Sequence, residues 1–205
     1  MVPRPGLVTG AVLAGGRSRR FGSDKALHQV GGRAMVVRVA DALRIGGATR
    51  VVVVGGDSPA FAALDLDTVE DRWPDAGPLG GLLTALAAPV VPTVVSAAAG
   101  VVDAVVVVAA CDLPFVDGPI VAALLAALRT TAPAAAVADP GRLQPLLGAW
   151  RAGLVEPVLA AAFAAGARSM DEALAALAVA GLAVVPVPVA AGLLRNVNHR
   201  SDLGG

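Results

Sequence analysis

The 205-residue chain is poor in cysteine, in lysine and in aromatic residues, and the shortages exclude several classes of protein. A single cysteine, Cys111, cannot form an internal disulfide, and no Cys/His cluster has the spacing of a metal site. Neither a disulfide-stabilised secreted domain nor a zinc protein is therefore indicated, and a reducing cytoplasm is the expected location. The formal net charge is zero and only 16% of residues are charged, so no extended nucleic-acid surface is expected.

Uninterrupted apolar runs of membrane-spanning length are also missing. The most apolar stretch, residues 82–111, is broken by Pro89, Pro92, Gly100 and Asp103. No segment of about 18 apolar residues remains, which is the length that a transmembrane helix needs. The first residues lack the basic and apolar regions of a signal peptide. We therefore expect contact with neither membrane nor nucleic acid.

Aliphatic residues are abundant, since 56% of the chain is hydrophobic and only 3% is aromatic. This supports one large core, and no linker divides the chain, so a single domain over residues 1–205 is expected. Short β-branched runs alternate with longer Ala/Leu-rich segments, which is typical of βαβ units. The predicted fold class is α/β, with three αβα layers around a mostly parallel, Rossmann-like sheet.

The same patterns predict individual elements. Strands are expected at residues 7–13, 50–54, 68–70, 104–110 and 183–187. Helices are expected at residues 34–44, 79–88, 119–129, 154–165 and 170–177. Residues 143–150 favour an antiparallel strand, although a helix fits them too. In an open sheet of this kind, ligands bind beyond the carboxyl ends of the strands. Three polar motifs follow predicted strands, so we expect them at one edge of the sheet.

The first motif lies between Gly15 and Lys25 and has the components of a phosphate site. It contains the adjacent glycines Gly15 and Gly16, three arginines including Arg19, and the only lysine of the chain. Glycines allow backbone N–H groups to approach phosphate oxygens, and Arg and Lys supply positive charge. The spacing is neither that of a Walker A loop nor G-x-G-x-x-G. A triphosphate site is the functional interpretation, and an ordinary basic turn is the structural one.

The second candidate is Asp112, which follows an apolar run and precedes Leu113-Pro114. Its carboxylate is expected at the end of a buried strand, where an unpaired charge is costly. Mg²⁺ commonly combines one or two carboxylates with substrate phosphates, so Asp112 is a candidate metal ligand. The alternative is a turn or capping aspartate ahead of the helix that begins near Pro119.

Two further polar segments are candidates for substrate contacts. Asp71 can accept hydrogen bonds from a sugar hydroxyl or a base N–H, and Gly80-Gly81 permits close backbone approach. A proline-rich surface loop is the structural alternative there. Near the C-terminus, Asn196 and Asn198 fall on one side of an extended segment and can donate to a second substrate. An Asx-rich turn is the alternative for that segment.

In this order, the motifs resemble those of the molybdenum cofactor guanylyltransferases, the MobA-like branch of the nucleotide-diphospho-sugar transferase fold. The matching segments are Leu13-Ala14-Gly15-Gly16 with Arg19-Arg20, Gly22 and Asp24-Lys25; Glu70-Asp71 with Gly77-Pro78-Leu79-Gly80-Gly81; Cys111-Asp112-Leu113-Pro114; and Asn196-Val197-Asn198. His199-Arg200 stands where that family usually has Thr-Pro, which departs from its pattern.

The resemblance implies transfer of GMP from GTP to molybdenum-bound molybdopterin, with Mg²⁺ as cofactor and pyrophosphate as second product. Transient contacts with molybdenum-insertion proteins or molybdoenzymes are implied as well. It assigns GTP binding to Leu13, Ala14, Gly15, Gly16, Lys25, Asp71, Gly80 and Asp112. It assigns catalysis to Arg19, Lys25 and Asp112, the metal to Asp112, and the second substrate to Asn196 and Asn198.

Two alternatives stay open. A transferase of the same fold can use CTP, or act on a sugar or alcohol phosphate, although Leu13-Ala14-Gly15-Gly16 favours guanine by resemblance. A nucleotide-binding regulatory protein can also keep the fold without the chemistry. The presence of both Lys25 and Asp112 argues against that loss.

Overall fold

The computed structural model describes residues 8–15, 25–88, 104–130 and 132–197. The strands in these ranges are β1 Val8–Leu13, β2 Gln29–Val30, β3 Arg33–Ala34, β4 Arg50–Val54, β5 Asp67–Val69, β6 Val105–Ala110, β7 Ala135–Asp139, β8 Gln144–Arg151 and β9 Val184–Pro188. The helices are α1 Met35–Ile45, α2 Ser58–Ala62, α3 Pro78–Ala87, α4 Gly118–Thr130, α5 Ala152–Ala164 and α6 Met170–Val179. Gly16, Arg19 and Asn198 lie outside the described residues.

Seven of the described strands form one sheet in the order β5-β4-β1-β6-β8-β7-β9. Strands β5, β4, β1 and β6 run parallel, and so do β7 and β9, whereas β8 is antiparallel to both of its neighbours. The side on which β1, β4, β5 and β6 end is called the carboxyl edge below. β8 begins at this edge because it runs in the opposite direction. The mostly parallel α/β arrangement confirms the predicted fold class.

Continuous valine runs form the centre of this sheet because both of its faces are covered. Val53 and Val107 point into a core shared with α1 and α4. Their neighbours Val52 and Val106 point into a second core shared with α3, α5 and α6. Successive side chains of a strand point to opposite faces, so a strand that is buried on both sides must be apolar throughout.

Most predicted elements are present with small shifts at their ends, and residues 143–150 belong to the antiparallel strand β8. The sequence patterns did not predict β7, the β2–β3 hairpin or the short helix α2. Strand β7 is alanine-rich, and alanine favours helices, so local propensity gives no strand signal there. Its extended conformation comes from pairing with β8 and β9. None of the described helices combines the length and apolar character that a membrane span requires.

Helices α1 and α4 approach each other closely at Gly46, just after α1. A Cβ atom on Gly46 would lie 2.3 Å from Cβ of Val121, which is on α4. Gly46→Ala is therefore expected to force the helices apart and to lower the free energy of unfolding by about 1–3 kcal/mol. Gly153→Ala, in α5, is the matched control, because no atom lies within 4 Å of its added Cβ. Denaturant unfolding measures both, and equal stability of the two variants would contradict the close contact.

Candidate active site

A cavity of about 360 Å³ opens at the carboxyl edge of the sheet. Leu13, Ala14 and Gly15 line it from the end of β1, and Asp112 from the segment after β6. Lys25, Asp71 and Asp75 complete its polar lining. Residues from three separate motifs thus meet in one place, as the order of the predicted strands suggested. The turn that contains Lys25 is the one-turn 3₁₀ helix Lys25–Leu27.

Backbone hydrogen bonds join the strand ends that form the floor of the cavity. The Cys111 N–H donates to the Leu13 carbonyl at 3.0 Å, and the Ala14 N–H donates to the Val54 carbonyl at 3.0 Å. The Leu13 carbonyl and the Ala14 N–H, which the sequence motif suggested as ligand contacts, are therefore hydrogen-bonded within the protein. Among the described residues of this segment, the Ala14 carbonyl and the backbone of Gly15 are the groups that can still contact a ligand.

Two glycines allow the loops after β1 and β4 to touch. Gly55 has a φ of +72°, and a Cβ atom there would lie 3.2 Å from the Cα of Gly15. A Cβ on Gly15 itself would lie 3.3 Å from Oδ2 of Asp71. Any side chain at these positions would therefore narrow the cavity or push Asp71 away. Gly15 is therefore required for close packing of the protein against itself, and its approach to a phosphate stays a prediction.

Lys25 and Asp112 form an ion pair although 87 residues separate them in the chain. Nζ of Lys25 lies 3.2 Å from Oδ2 of Asp112, and the two side chains are 11% and 24% exposed. The sequence argument for a metal depended on the cost of an unpaired carboxylate at this strand end. Lys25 is a positively charged partner for this carboxylate, so the position of Asp112 alone no longer requires a metal ion.

The donor set still fits a magnesium ion that is shared with a substrate. Among the described residues, no group of three or more His, Cys, Asp or Glu side chains is placed to hold a metal. Oδ1 of Asp112 has no donor in the described part of the chain. One carboxylate oxygen, phosphate oxygens and water form a common Mg²⁺ coordination set. The residues present are therefore compatible with a metal only together with a phosphorylated ligand.

Asp71 is held by two donors on the other side of the cavity. Its Oδ1 accepts from the backbone N–H of Trp73 and from the hydroxyl of Thr84, both at 3.1 Å. Thr84 is buried in α3 and its oxygen also accepts from the Arg72 N–H at 3.2 Å. These contacts orient Oδ2 of Asp71 toward Gly15. Sequence analysis missed Thr84, although it is the only polar side chain in α3.

Gly80 does not line the cavity. A Cβ on Gly80 would lie 3.2 Å from Cβ of Trp73, whereas its neighbour Gly81 lines the cavity. Gly80 lets the loop after β5 lie against the first turn of α3, and its contact with a nucleotide stays a prediction. Gly81 is the member of the predicted Gly80-Gly81 pair that lines the cavity.

The C-terminal motif reaches the same site through its backbone. The Val197 N–H donates to the Asp112 carbonyl at 2.9 Å, and Val197 is buried beside Val30 and Met35. This bond places the exposed Asn196 next to the Asp112 turn. A further contact was not predicted: Arg38 of α1 donates through Nε to the carbonyl of Pro114 at 2.9 Å. Nothing in the local sequence indicates that contact, because it joins two distant segments.

Residues 10–179 match the MobA-like NTP transferase domain. The chain belongs to the MobA-like NTP transferase family. A probable molybdenum cofactor guanylyltransferase of Chloroflexus aggregans is 33% identical over 175 residues, which cover 83% of this chain and 78% of that protein. A molybdenum cofactor guanylyltransferase of Cereibacter sphaeroides is 39% identical over 159 residues, covering 77% and 75% of the two chains.

A solved structure has the same architecture. Molybdopterin-guanine dinucleotide biosynthesis protein A of Archaeoglobus fulgidus superposes with a TM-score of 0.68 at 23% identity, covering 95% of this chain and 94% of that one. At this identity the likeness concerns the fold alone. This fold is the α/β class that was predicted from the sequence of the present MobA-like chain.

The segment that packs against the start of α3 leads to a carboxyl group with a strongly lowered pKa. Gly77, at the start of α3, packs against the carbonyl of Arg168, to which the Leu79 N–H also donates at 3.2 Å. Arg168 lies in the loop between α5 and α6. Ser169 and Glu172 form a capping box at the start of α6. The backbone N–H of Arg168, followed by the N–H and hydroxyl of Ser169, lowers the pKa of Glu172 from 4.5 to about 2.

Because the folded-state pKa of Glu172 is lowered, its contribution to stability is complete above the ordinary value and is lost as the pH falls toward 2. We expect an NMR titration to show the Glu172 carboxyl still ionised at pH 3. We also expect Glu172→Gln to reduce the loss of stability between pH 4.5 and 2. A Glu172 midpoint near 4.5 would show that the capping box does not form in solution.

Proposed function

We propose that this chain transfers GMP from GTP to the phosphate of molybdenum-bound molybdopterin and releases pyrophosphate. The observation that supports this most directly is the meeting of Lys25, Asp112 and Asp71 around the backbone of Ala14 and Gly15 in one cavity. The names of the relatives indicate the nucleotide and the acceptor. The product would then pass to a molybdoenzyme or to a molybdenum-insertion protein through a transient contact.

The reaction needs positioning and charge neutralisation more than covalent participation by the protein. An oxygen of the acceptor phosphate forms a bond to the α-phosphorus of GTP, and the bond from that phosphorus to the pyrophosphate oxygen breaks. Negative charge accumulates on the leaving pyrophosphate. The ammonium of Lys25 lies at the rim where the phosphates would bind, with its charge oriented by Asp112. Arg19, which lies outside the described residues, would supply a second cation.

Asp112 would hold Mg²⁺ jointly with oxygens of the nucleotide phosphates. Such an ion neutralises phosphate charge and orients the group that is transferred. The chain's own contribution is the fixed position of Asp112. That position depends on the Lys25 contact, on the Val197 N–H bond to the Asp112 carbonyl and on the Arg38 bond to Pro114.

The nucleoside would lie toward Asp71. Oδ1 of this side chain is occupied by Trp73 and Thr84, so Oδ2 is left to accept a hydrogen bond from a ribose hydroxyl or a base N–H. The acceptor would bind on the opposite side of the phosphates, near Asn196, because Val197 joins that segment to Asp112. The two substrates would then lie on either side of the α-phosphorus.

Pyrophosphate release with molybdenum-loaded molybdopterin tests the proposal. GTP with Mg²⁺ is expected to support release, whereas CTP, or GTP with a chelator, is expected to support little. Preference for CTP would indicate the cytidylyl alternative. Release with a sugar or alcohol phosphate but not with the pterin would indicate another acceptor. Binding of GTP without any release in the presence of the acceptor would indicate a regulatory protein.

A further inference from the structure

One carboxylate of the cavity has no role in the reaction described above. Asp75 lies in the loop between β5 and α3, and it lines the cavity together with Asp71 and Gly77. It is exposed, and its backbone has a φ of +62°. Few residues other than glycine adopt such a φ, and aspartate and asparagine are among those that do so most readily.

The three carboxylates among the described lining residues differ in their partners. Asp112 is paired with Lys25, and Asp71 accepts from Trp73 and Thr84. No group within the described ranges donates to the Asp75 carboxylate. A free negative charge beside a polyanionic nucleotide opposes binding through repulsion. The nucleotide offsets this cost if it brings hydrogen-bond donors to Asp75, since bonds to a charged acceptor are among the stronger ones.

The two faces of the sheet determine which part of the nucleotide reaches Asp75. The turn that begins with Lys25 packs on the face covered by α1 and α4. Asp75 lies in the loop that leads into α3, and α3 covers the opposite face. A nucleotide whose phosphates lie at Lys25 and Asp112, and whose ribose lies near Asp71, therefore directs its base toward Asp75.

We propose that Asp75 is a specificity-determining residue that selects guanine, its carboxylate accepting hydrogen bonds from the N1–H and the 2-amino group of the base. Guanine presents these two donors side by side, which matches the two oxygens of a carboxylate. The pairing edges of adenine and cytosine place a ring-nitrogen lone pair beside the amino group, and that lone pair would face the carboxylate. The inference rests on the proposed function, because it assumes that the cavity binds GTP.

Comparison of GTP with ITP tests the contact directly, because inosine keeps N1–H and lacks the 2-amino group. Calorimetric titration of the whole chain with each nucleotide, in the presence of Mg²⁺, is expected to show GTP bound at least about tenfold more tightly than ITP. Asp75→Gly and Asp75→Asn both tolerate the positive φ. Each is expected to weaken GTP binding and to bring the GTP-to-ITP ratio close to one.

Asp65→Gly is the matched control. Asp65 is an exposed aspartate with a φ of +56°, and it does not line the cavity. This variant is expected to keep the wild-type ratio, which separates base recognition from a general effect of changing an aspartate at positive φ.

The possible outcomes have distinct meanings. Equal weakening of GTP and ITP in both Asp75 variants would show that the residue only shapes the loop, and would overturn the proposal. An unchanged ratio in both variants would overturn it as well. If the wild-type chain releases pyrophosphate from GTP in either case, the proposed function stands without this role for Asp75. If the wild-type chain neither binds GTP nor uses it, the proposed function fails first, and this proposal fails with it.

Discussion

Asp112→Asn is expected to lower GTP-dependent pyrophosphate release by about 10²- to 10³-fold, while the folded structure is retained. Asparagine keeps the shape of the side chain and removes the negative charge that would hold Mg²⁺. The ammonium of Lys25 then lies beside a neutral group, so the local field at the phosphates changes too. Steady-state assays over a range of Mg²⁺ concentrations are expected to show a higher requirement for the ion together with the lower rate.

Asp117→Asn is the matched control for this variant. Asp117 lies five residues further along the same segment and accepts from the Ile120 N–H at 3.1 Å at the start of α4, away from the cavity lining. Asparagine also accepts at a helix start, so stability and turnover are expected to stay near wild type. Equal activity and equal Mg²⁺ dependence of the Asp112 and Asp117 variants would refute the assigned role of Asp112.

Lys25→Met is expected to produce the second largest effect, a loss of about 10²-fold in kcat/KM for GTP. Methionine fills the space of the buried lysine stem, which is 11% exposed, and lacks the ammonium that would neutralise phosphate charge. Lys25→Arg keeps the charge in a larger, planar group, so partial activity is expected. Arg33→Met, which removes an exposed cation of the nearby hairpin, is expected to leave turnover unchanged.

Stability measurements distinguish the effect of losing the Lys25–Asp112 ion pair on folding from its effect on catalysis. Lys25→Met leaves the Asp112 carboxylate without its cation, and this is expected to destabilise the chain. Adding Asp112→Asn removes the unpaired charge, so the double variant is expected to regain part of that stability. Its activity is expected to remain low. Wild-type kinetics for Lys25→Met would favour the interpretation of this segment as an ordinary surface turn.

The local sequence predicted the structure correctly where a single requirement, such as burial on both faces, restricts several neighbouring residues. Val105 and its neighbours must all be apolar because β6 is covered on both faces, and this predicts a buried strand. Gly15 must lack a side chain because Asp71 and Gly55 approach it, and the adjacent glycines in the sequence indicate such a close approach. In the alanine-rich β7 the requirement comes from the partner strands instead, so no local pattern revealed it.

Contacts between distant segments needed the folded chain. The pairing of Lys25 with Asp112, the support of Asp71 by Thr84 and the bond from Val197 to Asp112 join positions that no local periodicity relates. The same applies to Gly80. From the sequence, this glycine could allow close approach of a ligand or of another part of the protein, and the structure shows that Trp73 packs against it.

Composition, hydrophobic pattern and motif order were thus sufficient to derive an α/β chain with its polar motifs at one edge of the sheet, because burial and close backbone approach restrict residue types locally. The partners of each charged group were decided in three dimensions. Asp112 was expected to need a metal and has Lys25 beside it, while Asp75, which no motif singled out, is the lining carboxylate to which no group in the described ranges donates. Charges act across space rather than along the chain, so which of them is compensated depends on the assembled sheet and its loops.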